Sequence, residues 1–252
     1  MKEAVCVTMS NREKFSGKKT AAIVLAAGQG KRMQSHVAKQ FLMLNGEPVV
    51  CHSLRTFENS VVDGIVLVTG ADEIDYCREE IVKKYGFTKV IDVVAGGKER
   101  YHSVYQGLCA LENYLREEDI VLIHDGARPL VTEEIIERTI CDAVDEGACV
   151  AAMPVKDTIK VAAPDGFAEK TLDRSTLWQI QTPQTFSYGL VYGAYTKLLS
   201  DEIYQKGVTD DAMVVETMCG GKVKLTEGSY ENIKVTTPED MIVAESLLKH
   251  RK

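Results

Sequence analysis

The 252-residue chain has no run of about 18 consecutive apolar residues, so no membrane-spanning helix is expected. Residues 1–19 are polar and mixed in charge, without an apolar stretch of signal-peptide length, and read as an extension before the first strand. Positive charge is not in excess. Thirty Lys and Arg stand against 37 Asp and Glu, a net charge of −7, which argues against a general nucleic-acid binder. Any phosphate site must then be a local basic pocket on an acidic protein. The seven cysteines are scattered and form no C-x-x-C pair, and the five histidines show no metal-ligand spacing. This argues against a zinc cluster or a disulfide framework, and for free buried thiols in a reducing, cytoplasmic setting.

Two common phosphate-binding loops are also missing. The loop of many NTPases needs Gly-Lys-Ser/Thr, but Gly30-Lys31 is followed by Arg32. The dinucleotide fingerprint needs a third glycine, and Met33 holds that position.

What is there instead is Leu25-Ala26-Ala27-Gly28-Gln29-Gly30-Lys31-Arg32-Met33, with Lys39-Gln40-Phe41 downstream. It follows an apolar run, Ala21 to Ala27, that reads as a buried strand. Small residues let the backbone approach a ligand, and exposed N–H groups in such a turn can hold phosphate oxygens. Arg32 and Lys39 add permanent positive charge. The Gly-x-Gly pair alone could equally be an ordinary strand-to-helix turn. The full string resembles the signature loop of sugar-phosphate nucleotidylyltransferases.

The remaining chain alternates short apolar runs with helical patterns. The runs are 65–68, 90–94, 120–123 and 149–152, and such near-continuous strands imply a sheet covered on both faces. Ile74, Cys77, Ile81 and Tyr85 share one helical face, as do Val104, Leu108, Leu111 and Leu115. Thr132 can cap a helix that Gly147 stops, and Thr237-Pro238 opens the last one. The expected fold is α/β: a doubly wound, mostly parallel sheet of Rossmann-like type, with its ligand beyond the carboxyl ends of the strands. It occupies residues 20–252 as a single domain.

The stretch 156–176 breaks the alternation. Thr158 to Val161 and Glu169 to Leu172 flank Pro164-Asp165-Gly166, a turn signal, so a β-hairpin is expected. It is either a surface flap or an arm that packs on a second subunit. Trp178 and Gln181 to Gln184 are expected to anchor its base.

Polar strings at the strand ends carry the candidate site. Gly96-Gly97-Lys98-Glu99-Arg100 can bring backbone donors and acceptors to a nucleobase, and Ser103 adds a hydroxyl one turn into the helix. In His124-Asp125-Gly126-Ala127-Arg128-Pro129, the Asp and Arg suit a metal or ribose contact plus an anion contact, or else an internal ion pair. His124 reads as a packed ring rather than a general base. Lys234 is expected on a strand over 231–236.

Together with Pro154 to Lys160, Gln181 to Gln184 and Asn232 to Thr236, these strings resemble the 2-C-methyl-D-erythritol 4-phosphate cytidylyltransferases of the non-mevalonate isoprenoid pathway, over residues 20 to 250. The resemblance implies Mg²⁺-dependent transfer of CMP from CTP to a sugar-alcohol phosphate, in a homodimer joined by exchanged β-arms. It assigns Arg32 and Lys39 to transition-state stabilisation on the triphosphate. It assigns Ala26, Ala27, Gly28, Gly96, Gly97 and Ser103 to the nucleotide, and Asp125 to ribose and metal. Arg128, Thr158, Arg174 and Lys234 fall on the sugar-phosphate pocket, with Thr158 and Arg174 lent by the partner's arm. Lys98 departs from the polar or acidic residue expected beside the base, which leaves the backbone reading in place. A ribitol 5-phosphate cytidylyltransferase is the nearest alternative, and a non-catalytic nucleotide-binding protein the more remote one.

Overall fold

The structure is a computed structural model that describes residues 17–28 and 38–251. Its elements begin with β1 (Thr20–Leu25), the short β2 (Met43–Leu44) and β3 (Glu47–Pro48), α1 (Val49–Asn59) and β4 (Gly64–Thr69). Helix α2 runs over Ile74–Tyr76 and continues with π-type hydrogen bonding over Cys77–Lys83. Then come β5 (Val90–Ala95), α3 (Arg100–Ala110), β6 (Ile120–Asp125), α4 (Glu133–Glu146) and β7 (Ala148–Pro154). The chain continues through β8 (Lys160–Ala162), β9 (Ala168–Thr171), β10 (Trp178–Ser187) and α5 (Tyr188–Leu199). It closes with α6 (Asp211–Cys219), β11 (Lys224–Glu227) and α7 (Pro238–His250).

Seven strands form one sheet in the order β11-β7-β10-β6-β1-β4-β5. All pairs are parallel except those of β10, which runs antiparallel to both β6 and β7. The alternation of side chains along the strands divides the core into two layers. Ala22, Val24, Ile65, Leu67, Ile120 and Leu122 pack on one face with α1, α2 and α4. Ala21, Ile23, Val66, Val68, Val121 and Ile123 pack on the other with α3, α5 and α6. Both faces are covered by helices, which is why these strands read as unbroken apolar runs.

Helix boundaries follow the local chemistry. The Thr132 hydroxyl accepts from Ile135 N–H at the start of α4, and Gly147 ends the helix at φ 81°. A side chain there would be strained in the left-handed region. α7 starts with Thr237, Pro238 at the first helical position, and Asp240 closing a capping box.

The expected hairpin is present. β8 and β9 pair antiparallel as a separate two-stranded sheet, with Gly166 at φ 86° in the turn. At its base, β10 leaves the hairpin directly: Gln181 to Gln184 are buried within it in the main sheet, and its first residue, Trp178, is half-exposed opposite Pro154 at the end of β7. One expectation is corrected. Residues 231–236 form no strand. Asn232 N–H folds back to Ser229 O, and Val235 N–H bonds Ala127 O, so this segment crosses the strand ends instead of lengthening the sheet.

β1 sits between β6 and β4, and the chain reverses its winding there. In an open α/β sheet the crevice beyond the carboxyl ends at such a reversal is where ligands bind.

Candidate active site

A cleft of about 670 Å³ occupies that crevice, lined among others by Ala27, Gly28, Lys39, Gly97, Ser103, Asp125 and Lys234. A second compartment of about 270 Å³ adjoins it and shares Arg100, Asp125 and Lys234 with it. Arg128, Thr182 and Asp210 line the second compartment.

Close backbone approach shapes the first compartment. A Cβ placed on Gly96 would lie 2.7 Å from both Ala27 Cβ and Ser103 Oγ, so only glycine lets these two loops meet. Ser103 Oγ accepts from Gly97 N–H at 3.1 Å and donates to Glu99 O at 3.3 Å. The hydroxyl therefore fixes the loop as well as facing the cleft. Ala26 is buried just behind, its carbonyl held by the Gln40 side-chain amide. Lys39 opens a short 3₁₀ turn over Lys39–Phe41, and its Nζ donates to Val235 O at 3.0 Å.

Asp125, the last residue of β6, is the charge hub. Lys234 Nζ lies 2.7 Å from its Oδ2 and Arg100 Nε 3.4 Å from its Oδ1. Burial alone would raise its pKa. Arg100, then Lys234 and Arg128, reverse that and hold the carboxyl well below the usual carboxylate range. Arg100 places both terminal nitrogens 2.7 Å from the two oxygens of Asp211, which is fully buried at the start of α6. The Tyr195 hydroxyl donates to the same carboxylate. Burial disfavours the Arg100 charge, but Asp211 and Asp125 outweigh it and raise its pKa well above the ordinary value.

His124 is fully buried, and burial lowers its pKa to about 4. Its Nε2 faces Arg128 O at 3.3 Å and its Nδ1 faces Thr182 Oγ1 at 3.1 Å, while Asp125 N–H donates to that same Oγ1. One assignment satisfies every group. Thr182 O–H donates to Nδ1, and Nε2–H donates to the Arg128 carbonyl. A neutral ring with both nitrogens engaged braces the loop and has no free lone pair to take up a proton, in keeping with the packed ring expected from the sequence.

Arg128 donates from Nη1 to Asn232 O at 2.7 Å. Burial lowers its pKa, with Asp125 opposing. The internal Asp–Arg pair, the alternative reading of this loop, is thus divided: Asp125 contacts Arg100 and Lys234 directly, and Arg128 braces the crossing segment.

Of the residues singled out from the sequence, the structure gathers Ala27, Gly28, Lys39, Gly97, Ser103, Asp125, Arg128 and Lys234 around the two compartments, with Ala26 and Gly96 supporting them. Thr158 and Arg174 lie exposed on the hairpin side and line neither compartment of their own chain. Arg174 donates to Lys156 O at 2.8 Å. Arg32 lies outside the described residues. Sequence reasoning gave no role to Arg100, Asp211, Thr182 or Tyr195. The strings Gly96 to Arg100 and Gln181 to Gln184 carried the first and third, but no spacing rule links Arg100 to Asp211 across 111 positions.

The family profile described as "IspD: 2-C-methyl-D-erythritol 4-phosphate cytidylyltransferase" matches residues 20–250. A 2-C-methyl-D-erythritol 4-phosphate cytidylyltransferase of Lachnospira eligens is 51% identical over 229 residues, covering 90% of this chain and 98% of the relative. One from Clostridium kluyveri is 49% identical over 236 residues, covering 93% and 99%. The solved structure of 4-diphosphocytidyl-2C-methyl-D-erythritol synthase from Anaerococcus prevotii superposes with a TM-score of 0.80 at 35% identity, covering 94% of this chain and 99% of that one. Matched along nearly its whole length in both sequence and fold, the chain belongs to the 2-C-methyl-D-erythritol 4-phosphate cytidylyltransferase family.

Proposed function

We propose that this cytidylyltransferase cleft moves CMP from CTP to the phosphate of 2-C-methyl-D-erythritol 4-phosphate, giving 4-diphosphocytidyl-2-C-methyl-D-erythritol and pyrophosphate. One observation carries the reading. A cradle of small residues, Ala27, Gly28 and Gly97 with Ser103, opens through Asp125 into a second compartment that presents Arg100, Arg128 and Lys234. The first suits a nucleotide and the second a small phosphorylated substrate.

The chemistry needs no general base. An ionised phosphate oxygen of the sugar attacks the α-phosphorus, the bond to the β-phosphate breaks, and pyrophosphate leaves with the electron pair. The neutral His124 is consistent with that. Catalysis then rests on alignment and on countering negative charge. Ala26, Ala27, Gly28, Gly96, Gly97 and Ser103 seat the cytidine and its phosphates. Arg32 and Lys39 take charge on the triphosphate. Arg128 and Lys234 take the sugar phosphate.

Among the described residues no cluster of three or more His, Cys, Asp or Glu could hold a metal by itself. Asp125 is one carboxylate facing the cleft, and a single carboxylate plus phosphate oxygens is a donor set that Mg²⁺ takes. Asp125 would hold the ion together with CTP. There Mg²⁺ would draw charge from the phosphates and orient them.

The site is completed by a second copy. Residues 20–252 act as one catalytic unit preceded by the polar extension 1–19, and the arm over 156–176 reaches the partner. Thr158 and Arg174 then serve the neighbour's second compartment. The exposure of Ile159, Val161 and Phe167, the last at 75%, supports a covered arm in the dimer. The absence of any helix long and apolar enough to cross a membrane among the described residues is compatible with a cytoplasmic enzyme. Incubation with CTP, Mg²⁺ and methylerythritol phosphate tests the reading. Mass analysis should find the diphosphocytidyl product, and its absence with folded dimer would reject it.

A further inference from the structure

We propose that Arg100 is a positioning residue for this transfer, acting through Asp125 and anchored from behind by Asp211 and Tyr195. The inference rests on the cytidylyl-transfer reading of the cleft. Arg100 opens α3, and its guanidinium is divided between two carboxylates. Nη1 and Nη2 meet Asp211 at 2.7 Å each, leaving Nε for Asp125 at 3.4 Å. A planar fork can do this, whereas the point charge of a lysine cannot span both partners.

The anchor is set away from the cleft. Asp211 is 0% exposed, follows the Asp210 cap of α6, and also accepts from Tyr195 on α5. A buried carboxylate requires a charged partner, and Arg100 supplies it. The plane of the guanidinium is therefore fixed by α5 and α6 rather than by whatever enters the site. Its Nε is held beside Asp125 as a consequence.

Asp125 thus has two unlike cationic neighbours. Arg100 is pinned by a buried anchor. Lys234 extends a flexible stem from the crossing segment and is 38% exposed. When a sugar phosphate draws Lys234 toward itself, Arg100 keeps the Asp125 carboxylate aimed at the nucleotide side. The two cations divide the work: Lys234 serves the substrate, and Arg100 serves the residue that meets the nucleotide.

Two other roles make different predictions. Arg100 could touch a phosphate itself, or it could only tie α3 to α6. A double-mutant cycle separates them. Turnover and calorimetric CTP affinity with Mg²⁺ are measured for Arg100→Met, Asp125→Asn and the double variant, well below each melting temperature. Arg100→Met is expected to lower turnover roughly tenfold, and the double variant to fall no further than Asp125→Asn alone. If Arg100→Met leaves Asp211 uncompensated and the chain does not fold, Arg100→Lys replaces it. One ammonium satisfies Asp211 but releases Asp125, so the same non-additive loss is expected. Losses that multiply would overturn the proposal, because Arg100 would then act independently of Asp125. An Asp125→Asn enzyme of full activity would also overturn it. That outcome is distinguishable, since it rejects the role of Asp125 itself.

Discussion

Lys234 Nζ lies 2.7 Å from Asp125 Oδ2, so the cation assigned to the sugar phosphate rests on the carboxylate assigned to the nucleotide side. Removing the lysine leaves Asp125 with Arg100 still beside it. Lys234→Ala should therefore weaken use of methylerythritol phosphate much more than CTP binding. Steady-state kinetics against each substrate checks this. An equal loss for both would place Lys234 on the nucleotide instead.

Lys39→Ala should impair the chemical step more than CTP binding. Lys39 lines the compartment proposed for the nucleotide, where charge would shift during transfer, and contacts stronger in the transition state act on turnover. The loss should be about 3 kcal/mol in activation free energy, by analogy with one oxyanion donor. Single-turnover rates at saturating CTP measure it, and an unchanged rate would remove Lys39 from that role.

Gly96→Ala should damage both the fold and the nucleotide site. The new methyl group would lie 2.7 Å from Ala27 Cβ and Ser103 Oγ, and one loop must move. Overpacking of this kind costs about 1–3 kcal/mol. Thermal melting and CTP titration should both shift. A variant with native stability and affinity would show that the loops are not held in contact.

Stability should depend on pH through His124. Its pKa falls from 6.5 to about 4 on folding because burial favours the neutral ring. Between those values the unfolded chain binds a proton that the folded one does not. The stabilisation is complete above pH 6.5 and is lost as pH falls toward 4, by about 3 kcal/mol in all. Denaturant titrations of His124→Gln should lack that slope. An identical slope in the variant would assign the effect to other groups.

The proposed shared site predicts complementation. Arg174→Ala acts from the arm and Lys234→Ala from within the cleft, so each homodimer loses both sites. In a mixed dimer one site keeps both residues. Each mixed dimer should regain about half of the normal activity, so an equal mixture after full exchange should recover about a quarter, and no recovery despite proven exchange would leave the hairpin a local flap.

Local chemistry made most of this fold legible. Unbroken apolar runs gave the strands, Thr132 and Gly147 bounded α4, and Pro164-Asp165-Gly166 gave the hairpin turn. The site was legible where a short string carries the chemistry, as in Asp125 to Arg128. It was not legible where partners are far apart in sequence. Asp211 gains its meaning only when α6 brings it to Arg100, and Thr182 only when the pairing of β10 with β6 brings its hydroxyl to His124. Residues 231–236 look like a strand because Ile233 and Val235 alternate with polar neighbours. Both are instead packed with Val49, Leu130 and α7, and their backbone crosses the strand ends.

The reaction itself is tested most directly by pyrophosphate release. The folded protein is incubated with CTP and Mg²⁺, and the initial rate is followed with methylerythritol phosphate, with ribitol 5-phosphate and with no acceptor. Rapid, stoichiometric release with methylerythritol phosphate and little with the other two is the predicted result. Preference for ribitol 5-phosphate, or no release with either acceptor, would contradict the account.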